Sequence, residues 1–274
     1  MQRPSDVARS ENSDLHGVEA GSSGGLLVVK GAYLVRNWHP YLPTPDLSHQ
    51  CIALDRRGHG RSDRPSTGYD MDTAADDLAV LIELLDLRDV ILVGHSMGGA
   101  EIARYLARHG DERVARIALI SAMLPFMRQT DDNPEGIPGA LLDASMAAMD
   151  ADRPKWLARQ AQAFFATHLG NDVSPAQVDF TMRQCLETSP WAVRQAQRNV
   201  VNFDHRATLP EIKVPTLVVH GAADFSAPID VTGRRTAKMI PGALYHEYPT
   251  AGHGLFVSHR DQLNDDLLAF VEAR

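Results

Sequence analysis

The chain has 274 residues, 44% of them hydrophobic, which suits one large core with an insertion better than two independent domains. Its formal net charge of −8 argues against nucleic acid or an anionic membrane as partner, because both attract basic surfaces. No apolar run has the length of a membrane span, and the two cysteines, Cys51 and Cys185, read as free thiols of a cytoplasmic protein rather than as a disulfide.

Residues 1–25 are polar, lack the apolar core of a signal peptide, and read as a partly flexible segment. Leu26 to Val29 and Cys51 to Leu54 are short apolar runs that predict buried strands. Leu78, Leu81, Ile82 and Leu85 repeat at helical spacing, predicting an amphipathic helix from Thr73 to Leu87 with Asp72 as its N-cap. A strand over Val90 to Val93, a helix over Gly99 to Arg108 and a strand over Ile117 to Ile120 come next. From 124 to 209 no strand pattern occurs. Helical segments are expected near Gly139 to Met149, Lys155 to His168, Pro175 to Leu186 and Trp191 to Val200, separated by Pro-containing turn signals such as Ser174-Pro175 and Ser189-Pro190. Strands at Leu217 to Val219 and Leu244 to Tyr248 follow, with a helix from about Ile229 to Met239 between them and a last helix carrying Leu263, Leu267 and Phe270. Short all-apolar strands alternating with helices predict an α/β fold with a mostly parallel sheet covered on both faces. Residues 26–123 and 210–274 would form its core, and 124–209 an inserted helical cap whose aromatics, Phe126, Trp156, Phe164 and Trp191, are candidate substrate contacts.

The densest chemical signal is Val93-Gly94-His95-Ser96-Met97-Gly98-Gly99. Strand, sharp glycine-rich turn with a central serine, then helix is the setting of a nucleophile elbow. A serine hydroxyl is a poor nucleophile at neutral pH and needs a base, which in turn needs an orienting acid. Asp224, just past the strand ending at His220, is the candidate acid. His253, between Gly252 and Gly254, is the candidate base. Their order along the chain, serine then acid then histidine, is the one that accompanies this elbow. Asp230 is the fallback acid, although its place at a helix start reads as a helix-end charge. No Cys/His cluster has metal-ligand spacing, so neither a metal nor a cofactor is expected.

Beyond the elbow, the chain carries Asp55-Arg56-Arg57-Gly58-His59-Gly60-Arg61-Ser62, Gly68-Tyr69-Asp70-Met71-Asp72-Thr73-Ala74-Ala75-Asp76-Asp77-Leu78, Ala103-Arg104-Tyr105-Leu106-Ala107-Arg108-His109-Gly110 and Pro215-Thr216-Leu217-Val218-Val219-His220-Gly221. Pro228-Ile229-Asp230-Val231-Thr232-Gly233 and Leu263-Asn264-Asp265-Asp266-Leu267-Leu268-Ala269-Phe270 complete the set. With these stretches the sequence resembles the cofactor-free haloperoxidases of the α/β-hydrolase fold, a group that also holds aryl esterases and perhydrolases. The resemblance implies a triad of Ser96, Asp224 and His253 and ester hydrolysis through an acyl-enzyme, with peroxide replacing water in some members.

One departure touches chemistry. The group usually has His-Gly and an aromatic after the first buried strand, where one oxyanion N–H originates. Here the place reads Lys30-Gly31-Ala32-Tyr33-Leu34. Met97 N–H and Ala32 N–H are the expected oxyanion donors, with Tyr33 as the alternative donor and a candidate substrate contact. Three readings follow: a serine hydrolase of small aryl or alkyl esters or lactones, a perhydrolase forming peracids from carboxylic acid and peroxide, and a non-enzymatic ligand-binding relative. In each the partner is a small molecule. No self-association surface is legible in the sequence, although such relatives often form homo-oligomers.

Overall fold

The computed structural model describes residues 25–29 and 50–273. The segment 1–24, Lys30, Ala32 and Tyr33 lie outside the described residues, and so do the expectations that rest on them. Among the described residues six parallel strands form one sheet in the order β2-β1-β3-β4-β5-β6. They are β1 (Gly25–Val29), β2 (Gln50–Leu54), β3 (Val90–His95), β4 (Val114–Ile120), β5 (Thr216–Gly221) and β6 (Leu244–Tyr248).

The two-residue period of the strands divides the core in two. Leu92, Ile117, Leu119 and Val218 point into a cluster with residues of α1 (Met71–Leu84) and α2 (Met97–His109), such as Leu78, Ile82, Ile102 and Ala103. The alternate residues Ile91, Val93, Ala118, Ile120, Leu217 and Val219 pack with Leu255 and Phe256 of α8 (Leu255–Ser258) and with Leu263, Leu267 and Phe270 of α9 (Arg260–Glu272). A strand wetted on neither side has no use for polar residues, hence the all-apolar reading of Val90 to Val93. Helices therefore cover both faces, as the sequence pattern predicts.

Several boundaries differ from the sequence reading by a few residues, two of them for evident local reasons. The first helix starts at Met71, and its N-cap is Asp70 rather than Asp72: Asp70 is extended (φ −81°, ψ 165°) and its carboxylate accepts from Thr73 N–H. α7 (Gly233–Met239) begins four residues after Ile229, because Val231 and Thr232 N–H groups are spent on a turn at Pro228.

Between β4 and β5 the chain inserts four helices, α3 (Gly139–Ala151), α4 (Arg153–Phe165), α5 (Pro175–Glu187) and α6 (Pro190–Asn202). Asp152, Ser174 and Ser189 cap the N-termini of α4, α5 and α6, each followed by a proline in the first turn, where a missing N–H costs nothing. Among the described residues no helix is long and apolar enough to cross a membrane.

Candidate active site

Strand order reverses at β1, with β2 on one side and β3 to β6 on the other. Open α/β sheets place their sites at the strand ends beside such a switch. Ser96 follows β3, Asp224 follows β5 and His253 follows β6, so all three leave carboxyl ends of parallel strands.

Ser96 has φ 57° and ψ −122°, a conformation strained for any L side chain. It is held there by its own N–H to Ile120 C=O (2.9 Å) and by Met123 N–H to Ser96 C=O (3.1 Å). The turn closes only because Gly94 has no side chain: a Cβ there would lie 2.7 Å from the Gly98 and Gly99 backbone. Met97 opens α2, and first-turn N–H groups have no partner inside their helix, so its N–H is available for negative charge developing at the Ser96 side. Beneath this turn, Arg56 contacts Met97 Sδ (2.8 Å) and pairs with Glu101 (2.7 Å), with the Arg56 and Glu101 side chains only 10% and 5% exposed. Burial pushes the Glu101 carboxyl up to about 7 against the pull of Arg56.

The structure brings the three sequence-selected side chains together. Ser96 Oγ–H points to His253 Nε2 at 2.9 Å, and His253 Nδ1–H donates to Asp224 Oδ2 at 2.7 Å. All three residues are buried. Ser226 and Ala227 N–H groups donate to Asp224 Oδ1 (2.9 and 2.8 Å). Burial alone would raise the Asp224 carboxyl, but the electrostatic pull and hydrogen bond of His253, with His220 close by, outweigh it and hold it well below the usual carboxylate range. Asp230, the fallback candidate, instead pairs with Arg234 (2.6 Å) and is largely exposed, whereas the partner of His253 Nδ1 is Asp224.

Two histidines that the sequence reading passed over complete the arrangement. His220 Nε2 donates to Ala227 C=O (2.8 Å) and stands 3.3 Å from Asp224 Oδ2, bracing the carboxylate from the side opposite His253. His95 Nε2 donates to His253 C=O (3.0 Å), and its ring lies 4.7 Å from the His253 ring. Burial and the neighbouring His253 bring the His95 imidazole down to about 3, so it stays neutral. The clue in the sequence is position: one histidine precedes the elbow serine, and the other lies four residues before the acid.

The His253 loop also leans on the insertion. A Cβ at Gly252 would lie 2.6 Å from Phe164 C=O, and one at Gly254 2.6–2.8 Å from the Phe164 and Phe165 rings. Gly254 N–H donates to Phe164 C=O (2.7 Å). Asn171 ties the end of α4 to the same loop through Phe165 C=O and Thr250 C=O (2.8 Å each).

A cavity open to solvent has Ser96 and His253 in its wall. Trp156 and Phe164 line it as expected, together with Met123, Met182 and Cys185, which sequence reasoning did not select. Burial pushes the Cys185 thiol up to about 12, which leaves it a poor nucleophile. Phe126 and Trp191 are corrections, since neither lines this cavity. Phe126 is buried under the Arg206 guanidinium (5.3 Å), and Trp191 is half exposed with its indole N–H on Ser66 C=O (2.9 Å). A helical spacing fixes which residues share a face, not what that face meets.

A family model described as "alpha/beta hydrolase fold" matches residues 16–260. The chain is 41% identical over 230 residues to a non-heme chloroperoxidase of Kitasatospora aureofaciens, covering 82% of this chain and 83% of that protein. It is 34% identical to a bifunctional esterase/perhydrolase of Acinetobacter calcoaceticus, covering 81% of each. A bromoperoxidase structure from Bacillus anthracis superposes with a TM-score of 0.85 at 30% identity, over 92% of this chain and 93% of that one. The chain belongs to the α/β-hydrolase-fold family, and these relatives are enzymes of that family.

Proposed function

We propose that the protein is a serine hydrolase that cleaves small carboxylic esters or lactones through an acyl-enzyme. The observation that carries this reading is the unbroken hydrogen-bond path from Ser96 Oγ through His253 to Asp224, opening into a largely apolar cavity. His253 takes the Ser96 proton as the hydroxyl attacks the substrate carbonyl. Asp224 holds the imidazole in the required tautomer and stabilises its charged form. Met97 N–H supplies one oxyanion donor, and the second is the N–H of Ala32 or Tyr33. His253 then protonates the departing alcohol and activates water to release the acid. Residues 124–209 act as a cap over the core of 26–123 and 210–274. The reduced thiol of Cys185 suits a cytoplasmic setting.

The names of the relatives favour a second reading on the same machinery. Hydrogen peroxide, in place of water, attacks the acyl-enzyme carbonyl, freeing Ser96 Oγ–H and a peracid. The peracid transfers its terminal oxygen to halide and becomes the carboxylic acid. A halogenation assay with acetate, peroxide and bromide separates the two activities.

The test of the nucleophile is Ser96→Ala. Turnover of a short-chain p-nitrophenyl ester should fall by at least about 10⁴-fold, with the melting temperature preserved. A fluorophosphonate probe should label the wild type and not the variant. Full activity in Ser96→Ala would overturn the assignment, and an unlabelled wild type would point to a non-enzymatic binding protein.

A further inference from the structure

The cavity wall contains two amide side chains that the proposed reaction does not use. Gln160 lies on α4, one turn after Trp156 and one turn before Phe164, and Gln197 lies on α6; both line the cavity that holds Ser96. Each is partly buried. Neither side-chain amide has a hydrogen-bond partner among the described residues, whereas the indole N–H of neighbouring Trp156 meets Ser145 Oγ (3.3 Å). The remaining wall is Met123, Leu157, Met182, Cys185 and aromatic rings, with Ser226 beside Asp224. No lysine, arginine, aspartate or glutamate lines it among the described residues.

An amide in an otherwise apolar wall is costly if it loses water without replacement. A substrate that is apolar throughout would impose that cost twice. A carbonyl can accept from either amide N–H, and a hydroxyl or amide can also donate to either amide oxygen. A carboxylate or an ammonium, in contrast, would enter a wall holding no opposite charge.

We propose that Gln160 and Gln197 are specificity-determining residues that select substrates carrying, besides the scissile ester, a second uncharged hydrogen-bonding group such as a ketone, hydroxyl or amide. The inference rests on the ester-hydrolase reading for its kinetic readout, but not for its binding readout.

Two matched pairs of esters test it: methyl levulinate against methyl pentanoate, with the extra ketone on the acyl side, and a keto-substituted pentyl acetate against pentyl acetate, with it on the alcohol side. Each ratio of kcat/KM, keto over plain, is measured in the wild type and in Gln160→Leu and Gln197→Leu. In at least one pair the ratio should fall by about tenfold or more on replacing either glutamine. kcat/KM for the plain ester should stay within about threefold, and the melting temperature should hold. The singly charged monomethyl succinate should be a poor substrate in all three proteins. Ratios that do not move in either pair would overturn the proposal, as would monomethyl succinate turning over as well as methyl levulinate.

The same pairs are titrated calorimetrically against Ser96→Ala, with and without the two glutamine substitutions. If no ester is turned over, the reaction reading fails, and the affinity ratios alone decide the proposal. A preference for the keto ligand that vanishes with Gln→Leu upholds it, and equal affinities, or no binding of either ligand, sink it.

Discussion

Every residue of β3 is buried, and Leu92, Val93, Ile117, Leu119 and Ile120 of the central strands are wholly inaccessible. In the insertion, α3 buries only Met149, α4 buries Leu157 and Phe165, and Leu141 and Phe180 stand exposed. The two regions share the cavity but divide the labour. The sheet fixes the positions of the reacting groups with close-packed strands and strained turns. In the reaction proposed above the insertion supplies the surface that a substrate meets, and its helices α3 and α4 are held by far less apolar burial. On that proposal chemistry is separated from selection, and substitutions in the two regions should differ in kind.

The largest effect belongs to the sheet side. Asp224→Asn should lower kcat by about 10⁴-fold, because the amide favours the wrong His253 tautomer. A Trp156→Ala change on α4 should act mainly on KM. If Trp156→Ala cost as much in kcat as Asp224→Asn, the division of labour would be wrong. Stability gives the next contrast. Glu101→Leu removes the carboxylate that pairs with the buried Arg56 guanidinium under the elbow and should cost about 3–5 kcal/mol in denaturant unfolding, whereas Leu141→Ala on the exposed face of α3 should stay within about 0.5 kcal/mol.

Asn171→Ala probes the seam between the two regions. Losing its ties to the His253 loop should reduce kcat by up to about tenfold at nearly unchanged stability; an unaltered kcat would show that the loop needs no support from α4.

The smallest effect at neutral pH is an acid one. Burial, with His253 beside one and Arg104 beside the other, brings His95 and His205 down to about 3 from 6.5. Between these values the unfolded chain binds protons that the folded chain refuses. Their contribution is therefore fully present above about pH 6.5 and is lost as pH falls toward 3, at no more than about 1.4 kcal/mol per pH unit for each histidine. The melting temperature should drop from about pH 6 to about pH 4. His205→Phe should flatten that slope, and an unchanged slope would place the titration elsewhere.

Much of this was legible in the chain itself. The apolar strands, the helix-rich stretch between β4 and β5, and the order Ser96, Asp224, His253 each follow from a local rule: two-sided burial, capping serines before prolines, and a turn around the serine that needs a glycine at position 94. What the chain did not disclose depends on contacts between distant segments. The pocket roles given to Phe126 and Trp191 failed because an aromatic on a helix states only that its face is covered. Gln160 was nonetheless within reach, since it falls one helical turn after Trp156. His220 had no signal beyond its spacing to Asp224, because its partner Ala227 is made adjacent by the loop.

The seat of Gly252 and Gly254 on Phe164 and Phe165 has a bearing on how this enzyme can diversify. A change at the base of α4 cannot reshape the cavity without also jostling the imidazole, so exploration of new substrates is channelled toward Gln160 and Trp156, one and two turns nearer the start of the helix. Libraries confined to those upstream positions should retain far more working variants than libraries centred on Phe164.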